Sequence, residues 1–128
     1  LDDSLNQIDP WQLEKLRGDL DSGMPVVLCK HVPLYAEALY APTLNFWRIP
    51  ILVGVPVEKL RGGDPDSLRP EPSTLEALGM IHNARNLACA LAGHIHFSFE
   101  CVLPGGASQI ACATGAMGTM RIVEMYPA

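Results

Sequence analysis

Several features are scarce in this chain of 128 residues, and each scarcity excludes a class of protein. No apolar run is long enough to span a bilayer, and the first residues lack the basic-then-apolar pattern of a secretory signal. The 9 lysines and arginines are outnumbered by 14 acidic residues and lie singly. The chain therefore lacks the basic patch that nucleic-acid-binding and membrane-surface proteins use.

Cysteine is also sparse, and no two cysteines have the C-x-x-C spacing of a metal or redox motif. The four cysteines all lie inside apolar segments: Cys29, Cys89, Cys101 and Cys112. Reduced cysteines in a core are expected, which favours a cytoplasmic protein. Apolar residues make up 48% of a length suited to one domain, so a single globular core is predicted.

The spacing of apolar residues predicts a chain that mixes helices and strands. A helix is expected to begin after Asp9, to bury residues such as Leu16, and to end at Gly23. A second helix is expected from Pro72. The continuously apolar run of residues 25–30 is typical of a strand buried on both faces.

The remaining strands are expected in the last third of the chain, near residues 87–92, 95–103, 108–114 and 120–126. The last three are close in sequence, so antiparallel pairing is expected, with turns at residues 104–106 and 115–118. Prolines recur between Pro33 and Pro72, and residues 35–72 are therefore predicted to be mostly loop.

Three histidines stand where predicted strands end. His31 closes the first apolar run, whereas His94 and His96 follow Gly93 at the end of the run at residues 87–92. Alternation along an extended strand would place His94 and His96 on the same face. Because neutral imidazole is a common ligand for zinc, iron, manganese and nickel, the pattern indicates a metal site.

Two stretches that contain these histidines resemble the calcineurin-like metallophosphoesterases. They are V-V-L-C-K-H-V-P-L at residues 26–34 and A-L-A-G-H-I-H at residues 90–96. The resemblance extends over residues ~10–34 and ~87–126. It implies an α/β (α+β) fold, namely the C-terminal half of a four-layer αββα sandwich with a mixed or antiparallel sheet and flanking helices.

The resemblance also implies an activity and a ligand set. The family hydrolyses phosphate mono- and diesters with two divalent metal ions, which here would be manganese, iron, zinc or nickel. By this resemblance His31 and His94 bind one ion and His96 binds the other. The substrate would be a small phosphate ester or a phosphoprotein.

The family's other ligands belong to D-x-H, G-D-x-x-D and G-N-H-[DE] motifs, and none of these occurs in the chain. Residues 1–128 are therefore interpreted as the C-terminal portion of a longer phosphoesterase domain, with a proline-rich insertion at about residues 35–72. Imidazoles without carboxylates hold a metal pair weakly, so the chain alone is expected to be inactive. Sheet surface left uncovered would favour a homodimer or a domain swap.

Other polar and aromatic residues receive weaker assignments. Arg48, Arg61 and Arg69 are candidates for binding substrate phosphate, since guanidinium matches phosphate bidentately. His82 is expected to be a solvated surface residue. Four aromatic residues are expected to cover the core rather than to line a substrate site: Tyr35, Tyr40, Phe46 and Trp47.

Two alternatives remain open. His94, His96 and Glu100 form an H-x-H-x-x-x-E pattern followed by Gly-Gly, which is close to the first motif of the cupins, single-metal β-barrels. A cupin would place Glu100 beside both histidines inside a closed barrel, but no later histidine supplies the fourth ligand. The other alternative is a non-catalytic dimerising module whose histidines serve only as hydrogen-bonding groups.

Overall fold

The computed structural model describes residues 1–126, which form three α-helices, three short 3-10 helices (Val57–Lys59, Asp66–Leu68 and Gly115–Met117) and one sheet of four strands. In chain order the α-helices and strands are α1 (Pro10–Asp21), β1 (Val26–Cys29), α2 (Glu37–Trp47), α3 (Pro72–Asn83), β2 (Leu87–Ala92), β3 (Phe99–Val102) and β4 (Ser108–Ala111). Within this part of the chain, no helix has the length and apolar character that crossing a bilayer would require.

The strands lie in the order β1-β2-β4-β3. β1 and β4 both pair in parallel with β2, whereas β3 pairs antiparallel with β4. The carboxyl ends of β1, β2 and β4 consequently lie at one edge of the sheet, where open α/β sheets commonly bind ligands. The predicted mixed α and β class, with a mixed sheet and flanking helices, is confirmed.

The two faces of the sheet have different surroundings. The register places Leu28, Ala90 and Gln109 on one face, and all three are buried. The Gln109 amide pairs with both backbone groups of Leu34, at 2.8 and 2.9 Å, and so fixes the segment after β1. The opposite face carries Cys89, which is buried, and a set of half-buried or exposed residues: Val27, Cys29, Leu91, Ser108, Ile110, Glu100 and Val102. This second set is called the open sheet face below.

Helices α1 and α3 begin with the prolines that the sequence predicted, Pro10 and Pro72. The Asp9 carboxylate does not cap α1 but accepts a hydrogen bond from the Trp11 indole at 3.3 Å. Trp11 remains 72% exposed, and Leu16 provides the buried contact of α1. Gly23 follows the helix with φ of 73°, a conformation that glycine adopts without strain.

The proline-rich stretch is the largest departure from the predicted elements. It contains α2, with Pro42 in the helix interior, although it was expected to be mostly loop. Burial of Leu39 and Thr43 on one side of α2 explains why packing outweighs the helix-breaking tendency of Pro42. Arg48 ends the helix in the left-handed conformation, with φ of 66°.

The expected strand environments were also partly wrong. β1 is an edge strand in the described sheet, and Cys29 is exposed rather than in the core. Residues 94–97 form bends, so β3 begins only at Phe99, and residues 120–126 form no strand. Both segments lack a paired neighbour that would complete a backbone ladder. The antiparallel pairing of β3 with β4 and the turn at residues 104–106 are confirmed.

Candidate metal-ligand site

Two loops at the carboxyl edge of the sheet are tied together by backbone hydrogen bonds. Lys30 donates to Leu91 at 3.0 Å, extending the β1–β2 ladder by one residue. Gly93 then donates to the carbonyl oxygen of His31 at 2.9 Å. The loop after β1 and the loop after β2 are therefore fixed side by side, so the histidines that they carry are brought together.

His31 and His94 meet directly at this edge. Nδ1 of His94 lies 3.0 Å from Nε2 of His31, and the ring centroids are 4.8 Å apart at an interplanar angle of 74°. Two nitrogens at this distance form an N–H···N hydrogen bond when one is protonated. Nitrogens that share one ion through bonds of about 2.0–2.1 Å also lie about 3 Å apart when those bonds are nearly perpendicular.

The G-H-I-H segment is a strained loop rather than a strand. His94 and His96 have φ of 60° and 64°, the left-handed region that residues with a side chain seldom adopt. The prediction that strand alternation places both rings on one face is therefore wrong. Between them, Ile95 is fully buried and its carbonyl accepts the Trp47 indole N–H at 2.8 Å. This anchor compensates for the unfavourable backbone of its neighbours.

His96 has different neighbours from the other two histidines. Its ring is exposed and meets the edge of Trp47 in a T-shaped contact, with centroids 5.1 Å apart. His31 and His94 are thus in direct contact, whereas His96 is held against the last residue of α2.

Asp3 was not singled out from the sequence, yet it organises the loop that carries His31. Its carboxylate accepts hydrogen bonds from the backbone N–H groups of His31 at 3.2 Å and Val32 at 3.1 Å. It also forms an ion pair with Lys30 at 2.6 Å, and both side chains are completely buried. Lys30 in turn donates to the Val32 carbonyl. An acidic residue beside another near the chain start reads as solvated, so the sequence offered no signal for this role.

The surroundings of His94 favour its neutral form. Partial burial lowers the pKa of His94, and the electrostatic influence of the neighbouring His31 adds to this effect, while Asp3 opposes it. A neutral imidazole keeps a lone pair free for a cation. Burial also lowers the pKa of Lys30 to about 8, against the opposing influence of Asp3.

The described residues supply only part of the dinuclear centre that the resemblance implies. Within residues 1–126, no group of three or more histidine, cysteine, aspartate or glutamate side chains is arranged to hold a metal ion. The His31–His94 pair offers two nitrogen donors, which fits part of the coordination sphere of one ion. A complete two-metal centre does not fit the described residues, because no carboxylate is positioned to bridge two ions.

Glu100 does not join the histidines as a cupin ligand would. It projects from the open sheet face and its carboxylate pairs with Arg121 at 3.1 Å. The four strands form an open sheet in the order β1-β2-β4-β3, not the closed barrel that this alternative requires.

The three arginines that the sequence suggested for phosphate binding make their contacts away from the histidines. Arg61 donates to the carbonyl of Arg48 and forms an ion pair with Asp64 at 3.3 Å. The carbonyl of Arg69 accepts a hydrogen bond from the Gln7 amide at 3.0 Å. Across residues 1–126, no hydrogen bond or ion pair connects these arginine side chains with the three histidines.

His82 is not the solvated histidine that was expected. It is half-buried, and its Nε2 atom is enclosed with no hydrogen-bond partner in the described part of the chain. Burial lowers its pKa. The carbonyl of His82 also approaches the β3–β4 turn so closely that a Cβ on Gly105 would lie 2.4 Å from it. The glycine at 105 is therefore required by the packing of α3 against this turn.

Comparisons with protein-family models, with curated proteins and with solved structures each found no match for this chain. The fold defines the class at a coarse level, a mixed α+β protein with an open four-stranded sheet.

Proposed function

We propose that this chain supplies part of the metal centre of a phosphoesterase that hydrolyses phosphate mono- or diesters, as its resemblance to the calcineurin-like enzymes implies. The observation that supports this most is the 3.0 Å approach of His31 Nε2 to His94 Nδ1. The two residues come from the loops that follow separate strands, at the sheet edge where α/β proteins commonly bind ligands.

Backbone strain provides a second line of support. Left-handed conformations of residues other than glycine cost of order 1–3 kcal/mol each and are concentrated at functional sites. His94 and His96 both have this conformation, and neither side chain is needed to fill the core, where Ile95 is the buried residue of the segment.

The proposed ligand assignment follows the resemblance. His31 and His94 would hold one divalent ion, and His96 would contribute to a second. Such ions neutralise charge on phosphoryl oxygens and provide hydroxide at neutral pH. The missing carboxylates would come from a preceding part of the same domain, so the chain alone is proposed to have little or no activity.

Metal binding tests the proposal directly. The melting temperature of the chain should rise on addition of Mn²⁺, Zn²⁺ or Ni²⁺, because an ion at 100 times its Kd stabilises the folded state by about 2.7 kcal/mol. The rise should be lost in His31→Ala and His94→Ala and kept in His82→Ala, each variant being compared with its own metal-free sample. An equal rise in all variants would place metal binding elsewhere and overturn the assignment.

Activity assays test the second part. With the same ions, p-nitrophenyl phosphate and bis-p-nitrophenyl phosphate should be hydrolysed no faster by the chain than by the ions alone. Turnover that disappears in His94→Ala would support the phosphoesterase assignment and contradict the proposed need for further ligands.

The open sheet face suggests how the rest of such a domain would pack. Val27, Leu91 and Ile110 are half-buried there, and Val102 is exposed, which leaves an apolar strip on one side of the sheet. We propose that a second sheet covers this strip, either from the remainder of an αββα sandwich or from a second copy in a homodimer or domain swap. A monomer by size-exclusion chromatography, with no binding of an apolar dye, would contradict an uncovered apolar face.

A further inference from the structure

The aromatic residues of the chain are concentrated beside the histidines. All three phenylalanines and one of the two tryptophans lie in one cluster. Phe46 lies 5.5 Å from Trp47 and 5.4 Å from Phe97, measured between ring centroids. Trp47 in turn lies 5.1 Å from His96. The rings therefore form a continuous path from His96 to Phe46.

The cluster borders an open groove of about 310 Å³. Its walls are Pro42, Phe46 and Phe97, and Asn45 provides a polar side chain at its margin. This volume is at the lower end of the range for small-molecule sites, which are mostly apolar with a few polar groups. A single planar ring is an occupant of suitable size and chemistry.

Core covering does not account for Phe46. The side chain is 57% exposed in the last turn of α2, although full burial of a phenylalanine is worth about 1.5–3 kcal/mol. Trp47, by contrast, is held by its hydrogen bond to the Ile95 carbonyl at 2.8 Å. The exposed phenyl ring of Phe46 therefore forms part of the groove wall. The fixed indole of Trp47 lies beside the groove, in contact with Phe46 on one side and with His96 on the other.

We propose that Phe46, Trp47 and Phe97 form a subsite for a planar aromatic group of the substrate, an aryl ring or a nucleobase, whose phosphate ester lies at the histidines. This inference rests on the proposed function, because only that function places a phosphate beside His96. It identifies the substrate class as aromatic phosphate esters. Aromatic rings stack favourably in offset and edge-to-face geometries, so such a group gains specific contacts in addition to apolar burial.

Tryptophan fluorescence provides a direct test. The variant Trp11→Phe removes the exposed tryptophan of α1 and leaves Trp47 as the only one in the chain. Titration with phenyl phosphate and with adenosine monophosphate, in the presence of a chelator, should change the Trp47 emission saturably. Glycerol phosphate and inorganic phosphate should not change it. A response to all four compounds, or to none, would overturn the subsite.

Two further variants test whether the ring of Phe46 is responsible. In the Trp11→Phe background, Phe46→Ala should weaken binding of phenyl phosphate at least fivefold, a change expected for loss of one stacked aromatic partner. Phe46→Leu keeps an apolar side chain without a ring and should also weaken it. Leu75→Ala, an exposed position on α3, should bind as the parent does. If Phe46→Leu binds phenyl phosphate as tightly as the parent does, the groove recognises apolar groups in general rather than aromatic rings, and the proposal is contradicted.

The two proposals can fail separately. Zn²⁺ should tighten binding of phenyl phosphate but not of phenol, and His94→Ala should abolish only that gain. Ring-dependent binding without any gain from Zn²⁺ would refute the metal assignment and keep the aromatic subsite. Metal-dependent stabilisation without any aromatic response would refute the subsite alone. Trp47 emission that changes with protein concentration before ligand is added would indicate that a second copy fills the groove, which also overturns the proposal.

Discussion

Replacing Asp3 by asparagine should destabilise the chain far more than replacing an exposed acidic residue. The Asp3 carboxylate and the Lys30 ammonium are fully buried and lie 2.6 Å apart. Removal of one partner leaves an uncompensated buried charge, which costs about 3–5 kcal/mol. Asparagine also replaces one of the two carboxylate oxygens, which accept from His31 and Val32 respectively, by an N–H₂ group that cannot accept, so a value near the upper end is expected.

The measurement is urea unfolding followed by far-ultraviolet circular dichroism. The free energies of unfolding are compared between variants whose m-value, the slope of that free energy against urea concentration, is unchanged. The matched control is Glu76→Gln, which removes an exposed ion pair with Arg17 at 2.7 Å and should cost about 0–1 kcal/mol. The double variant Asp3→Asn with Lys30→Met should recover part of the loss, because it removes the unpaired charge. If Asp3→Asn costs no more than Glu76→Gln, the buried pair does not stabilise the loop that carries His31.

The same pair predicts a pH dependence. The pKa of Lys30 is lowered to about 8 in the folded protein, below its ordinary value near 10.5. Between these two values the unfolded chain binds more protons, so stability should increase as pH rises through this window, by up to about 3 kcal/mol in total. Lys30→Met should lack this increase relative to the parent. An identical pH profile in both proteins would contradict the lowered pKa.

Three further predictions concern backbone and packing. Replacing His96 by glycine should raise the free energy of unfolding, measured in urea, by about 1 kcal/mol, because glycine adopts the φ of 64° found at this position without strain. A loss of stability would mean that the contact between His96 and Trp47 outweighs the strain. Gly54→Ala should lower the free energy of unfolding by more than 1 kcal/mol, since φ at this position is 78° and the added Cβ would lie 2.1 Å from Cδ1 of Leu78. Stability equal to that of the parent would show that the Leu78 side chain moves freely. Gln109→Leu should cost at least about 2 kcal/mol, because both backbone groups of buried Leu34 lose their partner; a neutral result would contradict this hydrogen-bonding role.

The sequence predicted those elements whose signals are local. Helices α1 and α3 begin at prolines that suit a first helical turn, and the turn at residues 104–106 joins an antiparallel pair as its glycines indicate. The open order β1-β2-β4-β3 was not deducible, because pairing of β1 with β2 joins segments separated by nearly half of the chain. Helix α2 was not predicted for a related reason. Pro42 indicates a loop when the sequence is read locally, whereas the packing that stabilises this helix is non-local.

The site was predictable in part. His31 and His94 were expected to share one ion, and they lie in contact across two strands. The left-handed backbone of His94 and His96 was not foreseen, because alternation was read through the end of β2 into a segment that bends. Asp3 was missed because its role depends on partners at residues 30–32, which become its neighbours only after folding. The exposed position of Phe46 depends likewise on how α2 packs.

Three uncommon features meet around the histidines, and their coincidence is a further reason to propose a ligand for this region. Two residues with side chains adopt left-handed backbone, a buried ion pair holds the His31 loop, and the phenyl ring of Phe46 is exposed. The left-handed backbone costs stability, the buried ion pair stabilises only while both charges are present, and the exposed ring gives up the stabilisation that burial would provide. A sequence that only needed to fold would not have to place all three around one edge of its sheet. In the proposed site each feature has a role, because the backbone of His94 and His96 sets where their rings lie, the ion pair fixes the loop that carries His31, and the exposed ring of Phe46 is available for contact with a ligand.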